Sequence, residues 1–153
     1  MDRGQWLDQL VEDFALAAKS TFTRGEDGVW QIPVRGGDIL VCLAYRPATE
    51  QVVAFSQVAT LVPGSCDAER ARALLEANAF WRGSAGFTLC MDPETRELLA
   101  LDRRAPGYFA SVESLAYYVN CLATQVEELR AELESLEDAA EIETELADAE
   151  EQS

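Results

Sequence analysis

The feature that most constrains the fold is a group of three β-rich segments joined by very short turns. The segments cover residues 29–34, 39–45 and 51–62, and apolar residues dominate each of them. The first turn contains Gly36 and Gly37, which can adopt a positive φ at little cost. Strands joined this closely must pair antiparallel, because a parallel pair needs a crossover connection of a dozen or so residues. The segments therefore predict an antiparallel meander.

Helical patterns and a hairpin surround this meander. Apolar residues recur at helical spacing over residues 4–19, over residues 68–81 and again after Ser111, which is a good N-cap. Between the last two helices, residues 87–101 read as a hairpin whose turn contains Pro93. The element order αβββαββα predicts an α+β fold in which an antiparallel sheet is flanked by helices.

Charge is distributed unevenly along the chain. The 153 residues include 28 acidic and 12 basic residues and no histidine, for a formal charge of −16. Residues 126–153 carry −11 of this charge, with Arg130 as their one basic residue. We therefore predict a folded α+β domain over residues 1–125 and an acidic tail, helical or frayed, over residues 126–153. The acidic residues beside the leucine heptads of the last helix oppose a parallel coiled coil.

Composition also excludes several functions. A chain this acidic lacks the clustered basic side chains that neutralise phosphate, so we expect no nucleic-acid partner and no membrane partner. The absence of histidine removes Ser-His-Asp and Cys-His catalysis and histidine-ligated metals. The widely spaced cysteines form no C-x-x-C pair, which favours free thiols. We predict no catalytic residue, no metal, no cofactor and no enzymatic activity. The cysteines are Cys42, Cys66, Cys90 and Cys121.

The expected location is the cytoplasm. Met1 is followed by polar and charged residues rather than by an apolar signal segment, and the chain has no apolar run long enough to span a bilayer. Unpaired cysteines agree with a reducing compartment.

Both faces of the predicted meander are apolar. In residues 51–62, one side-chain parity carries Val52 and Ala54, and the other carries Val53 and Phe55. An antiparallel sheet with one solvated face alternates apolar and polar residues, so both faces of this sheet need a cover. Two explanations stay open: the chain covers both faces itself, or another chain supplies part of the cover.

Residues 86–101 carry a family resemblance. Gly86, an apolar strand, the Asp92-Pro93 turn and a leucine-rich strand resemble the hairpin of type III secretion chaperones of the Tir-chaperone (CesT-like) family. The element order, the size, the acidity and residues 75–80 before the hairpin agree with this family. The resemblance covers about residues 5–125, and residues 130–153 extend beyond the usual end of the family.

The resemblance implies a homodimer without enzymatic activity that binds an extended N-terminal segment of a secreted effector. Such a chaperone keeps the effector soluble and secretion-competent and delivers it to the secretion ATPase. The implied dimer interface uses the second helix and the first hairpin strand: Leu74, Leu75, Ala79, Phe80, Trp81, Phe87, Leu89 and Met91. The implied effector-binding residues are Trp6, Leu10, Phe14, Trp30, Ile32, Val53 and Phe55.

Three alternatives remain. A protein of the same fold can sequester a regulator instead of an effector. An adaptor can work mainly through the acidic tail. An enzyme or small-ligand domain can use the same scaffold with an acidic site.

Overall fold

The structure, a computed structural model, describes residues 2–60, 67–78 and 86–151. The arrangement is α+β, as predicted, with one additional short strand before the meander. Its helices and strands are α1 Arg3–Ala18, β1 Thr23–Arg24, β2 Trp30–Val34, β3 Ile39–Arg46, β4 Gln51–Thr60, α2 Asp67–Asn78, β5 Thr88–Met91, β6 Glu97–Arg104 and α3 Val112–Glu151.

The strands form one antiparallel sheet in the order β1-β2-β3-β4-β6-β5. The turn between β2 and β3 uses the predicted glycines, with φ of 69° at Gly36 and 88° at Gly37. The unpredicted strand β1 pairs only Thr23 and Arg24 with β2, and two residues are too few to show an alternating pattern.

Helices α1 and α3 pack on the same face of the sheet, which we call the inner face. Its side chains come from one parity of each strand, as in Val41 and Leu43 of β3 and Ala54 of β4, which are almost completely buried. They form one core cluster with the apolar sides of the two helices. The helical members of that cluster are Leu7, Leu10, Val11, Leu115, Tyr118, Val119, Leu122, Ala123, Val126, Leu129 and Leu133.

Helix α3 is continuous over 40 residues. Ser111 caps it as predicted, because its Oγ accepts a hydrogen bond from the N–H of Ser114 at 3.1 Å. Leu133 is still buried in the core, whereas Ile142 and Leu146 are 57% and 61% exposed. The end of α3 thus extends away from the sheet. The division of the chain at residue 125 stays a prediction.

Candidate protein-binding surface

The face of the sheet opposite α1 and α3 is also apolar, and we call it the outer face. Strand register aligns its side chains across the sheet: Cys42 lies opposite Phe55, and Phe55 opposite Leu101. Two residues further along β3, Ala44 lies opposite Val53 of β4. The apolar side chains of the outer face are Leu40, Cys42, Ala44, Val53, Phe55, Leu99 and Leu101, with Val29 beside them.

Among the described residues, no helix contributes to the cover of the outer face. Val29, Cys42 and Ala44 form a small cluster of their own with Phe55, and no helical side chain belongs to it. The larger side chains Val53 and Phe55 are half-buried, and Leu40 is 41% exposed. In the described part of the chain, the helices therefore cover one of the two apolar faces, which supports a cover from another chain.

Cys42 lies within this apolar cluster. Burial, and then the carboxylate of Asp27, raises the pKa of the Cys42 thiol to about 11. The group is therefore neutral at physiological pH, and a neutral thiol is a poor nucleophile and a poor metal ligand. Cys42 acts here as a small apolar side chain that lets the outer face stay compact.

Two arginines border the apolar part of the outer face. Arg46 lies opposite Gln51, and Arg103 lies opposite Val53, so both stand near the turn between β3 and β4. Both residues are exposed. The outer face can therefore contact a partner through apolar side chains at its centre and through the guanidinium groups of Arg46 and Arg103 at its border.

A second apolar surface lies between the end of α1 and the hairpin of β2 and β3. It is an open groove of about 540 Å³. Phe14 and Phe22 meet there edge to face, with their ring centroids 5.2 Å apart, and Val34 and Arg35 line the other side. Arg35 is held in place by hydrogen bonds to Thr124 and Glu127 of α3.

The two edges of the sheet differ. On the β5 edge, the side chain of Asn78 hydrogen-bonds to the backbone of Leu89. On the other edge, β1 pairs with Trp30 and Gln31 only, so the rest of β2 has no further strand partner among the described residues. Pro33 lies in this open part and has no N–H to offer, which weakens the edge as a site for an added strand.

The predicted effector-binding residues do not form one surface. Val53 and Phe55 lie on the outer face, while Trp6 and Phe14 of α1 are half-buried against the core. Three others lie inside the core: Leu10, Trp30 and Ile32. The indole Nε1 of Trp30 also donates to the carboxylate of Asp8 at 2.8 Å, which fastens α1 to the sheet. An effector-binding role for all seven residues stays a prediction.

The predicted dimer-interface residues lie around the β5 edge. Phe87 and Leu89 are buried, Leu74 is half-buried, and Leu75 and Met91 are exposed. Ala79, Phe80 and Trp81 lie outside the described residues. Leu75 and Met91 are thus the described members that leave apolar surface near this edge, and the dimer itself stays a prediction.

A polar cluster lies at the far end of the inner face. The hydroxyl of Tyr118 donates to Asp102 at 2.7 Å, and the guanidinium of Arg104 donates to the same oxygen at 2.8 Å. Burial, and then the hydrogen bond to Asp102, raises the pKa of Tyr118. Arg104 also stacks on the ring of Tyr108, 4.8 Å from its centroid. The cluster joins β6 to α3.

The described residues contain neither a metal-binding cluster nor a membrane-spanning helix. They bring together no group of three or more cysteine and carboxylate side chains that could hold a metal ion. None of the described helices has the length and hydropathy that a membrane span requires.

Sequence reasoning missed Leu99, Leu101 and Arg103 as parts of the outer face. The signal was present in β6, where Leu98, Ala100 and Asp102 share one parity and these three residues share the other. The role of Asn78 at the β5 edge had no comparable sequence signal, since an asparagine near a helix end normally indicates a cap.

Comparison with known families identifies the class of protein. The family model of the Tir chaperone protein (CesT) family matches residues 7–130, which is most of the chain. This chain belongs to the Tir chaperone protein (CesT) family. The match leaves the last part of α3 outside the family region, and no curated protein sequence matches the chain.

Solved structures share the fold. A chain of the ExsC-ExsE complex superposes with a TM-score of 0.69 at 17% identity, covering 86% of this chain and 96% of that one. A chain of the HopA1-SchA chaperone-effector complex gives a TM-score of 0.67 at 15% identity, covering 84% and 95%. At these identities the likeness establishes the fold.

Proposed function

We propose that this chain is a cytoplasmic type III secretion chaperone that binds an extended segment of an effector and keeps it soluble and secretion-competent. The observation that carries the proposal is the apolar outer face, which no described helix covers, in a member of the CesT family. A soluble protein retains an apolar face of this kind when a partner covers it.

The outer face suits an extended segment better than a folded domain. Its side chains stand in rows across β3, β4 and β6, at the regular spacing of the sheet. Alternate side chains of an extended segment can fill the spaces between these rows. Each ~100 Å² of apolar surface that the segment buries contributes about 2.5 kcal/mol before its ordering entropy is subtracted.

The groove at Phe14 and Phe22 provides a second contact for the same segment. It opens beside β2, so a segment that crosses the outer face and passes the open edge of β2 reaches it. Two separated apolar contacts favour a partner that is unfolded along its length, because a compact domain cannot reach both around an edge.

The proposal includes a homodimer and no catalysis. The exposed apolar side chains of Leu75 and Met91 near the β5 edge support a contact with a second copy there. The HopA1-SchA structure, whose fold this chain shares, is a chaperone-effector complex, which supports an effector as partner here. Delivery to the secretion ATPase is part of the same proposal.

Co-expression with the N-terminal segments of candidate secreted proteins tests the proposal. The wild-type chain is expected to co-purify with one such segment as a defined complex by light scattering. Phe55→Asp places a charge on the outer face and is expected to abolish the complex while circular dichroism stays unchanged. Tyr117→Asp changes an exposed aromatic residue of α3 and serves as the matched control.

Two results would count against the proposal. If the Phe55→Asp variant binds the segment as well as the wild type, the outer face is not the binding surface. If deletion of residues 137–153 alone abolishes all binding, the chain works as an adaptor through its acidic tail.

A further inference from the structure

Arg46 and Arg103 differ from most arginines of this chain. Both are exposed on the outer face, and neither forms an ion pair or a side-chain hydrogen bond within the described residues. Other arginines are engaged with carboxylates of the chain itself. Ion pairs are formed by Arg3, Arg24, Arg35, Arg72, Arg104 and Arg130.

The composition makes these two unpaired cations informative. Acidic residues outnumber basic ones 28 to 12, so an arginine on this surface rarely lacks a nearby carboxylate. Arg46 and Arg103 form no ion pair with a described carboxylate, and both lie on the outer face near the β3–β4 turn. Asp8 and Asp27 line a hollow together with Arg46. From the strand spacing and the rise per residue, the Cα atoms of Arg46 and Arg103 are about 12 Å apart. An extended chain spans that distance in about four residues.

The two arginines also lie to one side of the apolar rows. Along β6 the outward residues run from Leu99 through Leu101 to Arg103, and along β3 they run from Leu40 through Ala44 to Arg46. The outer face therefore has a direction: apolar at one end and basic at the end near the β3–β4 turn.

We propose that the outer face selects a partner segment in which apolar side chains are followed by aspartate or glutamate residues that pair with Arg46 and Arg103. This inference rests on the proposed function, since it assigns the chemistry of the segment that the outer face binds. A planar guanidinium can hold a carboxylate through two parallel hydrogen bonds. The acidic remainder of the chain repels such a segment, so these two side chains define where it docks and in which direction it lies.

Matched synthetic peptides test the charge selection. In each fluorescein-labelled peptide leucine alternates with serine, and the last two residues are both aspartate, both asparagine or both lysine. Fluorescence anisotropy with the full chain is expected to give about fivefold tighter binding of the aspartate peptide than of the asparagine peptide. This preference is expected to shrink as salt is added.

The double variant Arg46→Glu with Arg103→Glu is expected to reverse the preference in favour of the lysine peptide. Because both side chains are exposed, the fold is expected to persist, and Arg46→Gln with Arg103→Gln removes the charges without adding new ones. Arg72→Glu makes the same charge change on the exposed surface of α2 and is expected to leave the preference as in the wild type.

Three results would overturn the inference. If the peptides bind the wild type equally and Phe55→Asp abolishes all of them, the outer face binds apolar segments without charge selection, and the proposed function stands. If no peptide binds, the proposed function loses its site as well. If the wild type is a dimer that the double charge reversal dissociates, the carboxylates belong to a second copy of this chain.

Discussion

The side chain of Asn78 makes hydrogen bonds to both backbone polar groups of Leu89. Its Nδ2 donates to the Leu89 carbonyl at 2.9 Å, and its Oδ1 accepts from the Leu89 N–H at 2.8 Å. A neighbouring antiparallel strand satisfies a residue in the same way. Asn78 thus joins the end of α2 to β5 and occupies the edge of the sheet at Leu89, where a strand from another chain cannot pair.

Asn78→Asp is expected to lower the free energy of unfolding by about 1–3 kcal/mol. A carboxylate accepts the Leu89 N–H but leaves the Leu89 carbonyl without a donor. Urea denaturation measures the change, and hydrogen exchange of the Leu89 amide reports it locally. Glu76→Gln, on the exposed side of the same helix, is expected to stay within about 0.5 kcal/mol of the wild type. Equal stability of Asn78→Asp and the wild type would show that this bridge contributes nothing.

The two faces of the sheet are expected to respond differently to the same substitution. Val41 is completely buried on the inner face, so Val41→Ala leaves a cavity in the core and is expected to cost about 2–3 kcal/mol. Val53 is half-buried on the outer face, and Val53→Ala is expected to cost less than about 1 kcal/mol. Urea denaturation compares the two. Equal costs would mean that the outer face is as well covered as the inner one.

Arg130 is expected to stabilise the irregular part of β4. Its guanidinium donates to the carbonyl oxygens of Val58, Gln57 and Asp38 at 2.9, 3.1 and 3.1 Å, beside the register shift between Gln57 and Ala59. Arg130→Leu removes all three donors and is expected to cost about 1–3 kcal/mol by urea denaturation.

Arg130→Lys keeps the charge but not the fork of donors, and an intermediate cost is expected for it. Arg72→Leu removes an exposed ion pair of the i,i+4 type and provides the control, at less than about 0.5 kcal/mol. If Arg130→Leu costs no more than this control, water forms equally good hydrogen bonds to the three carbonyl oxygens.

Deletion of residues 137–153 is expected to leave the stability of the remaining chain unchanged. Among the described side chains of α3, Leu133 is the last one that is buried. Deletion of residues 126–153 also removes Val126, Leu129 and Leu133 from the core and is expected to unfold the chain. Thermal denaturation followed by circular dichroism distinguishes the two. A large loss of stability after the shorter deletion would mean that residues 137–153 pack against the rest of the chain.

Stability is expected to fall at high pH because of Cys42. Burial raises its pKa to about 11, while a thiol in an unfolded chain has a pKa of about 8.5. Above that value the unfolded chain binds fewer protons than the folded chain, so stability decreases with rising pH by at most about 1.4 kcal/mol per unit. The contribution of the neutral Cys42 thiol to stability is fully present below pH ~8.5 and is lost as the pH approaches 11. Urea denaturation of the wild type and of Cys42→Ala from pH 7 to 10.5 measures this contribution. If the free energies of unfolding of the two proteins change with pH in parallel, Cys42 makes no such contribution.

The sequence predicted the fold because its signals were local. The period of the apolar residues, the glycines after Arg35 and the Ser111 cap each determine a nearby conformation, and all three agree with the structure. The strand parity in residues 51–62 also predicted two apolar faces. Which face the helices cover depends on tertiary packing, so the two explanations could not be separated from sequence.

The details of the binding surface depend on contacts between distant residues. Leu10, Trp30 and Ile32 carry the same kind of side chain as Val53 and Phe55, yet helix packing buries the first three in the core. Similarly, Arg46 and Arg103 are 57 positions apart and share a border only because β4 lies between their strands. A pattern along one segment contains no information about either relationship.

The continuity of α3 has a consequence for how its outer end forms. An isolated helix must first close an unfavourable nucleus, after which each further residue adds with little cost. In this chain the nucleus lies at the sheet, where Leu115, Val119 and Leu122 are packed, and the exposed end grows from it by elongation alone. Helicity of the acidic end is therefore coupled cooperatively to the folded core. Any event that loosens α3 from the sheet therefore also shortens the acidic helix.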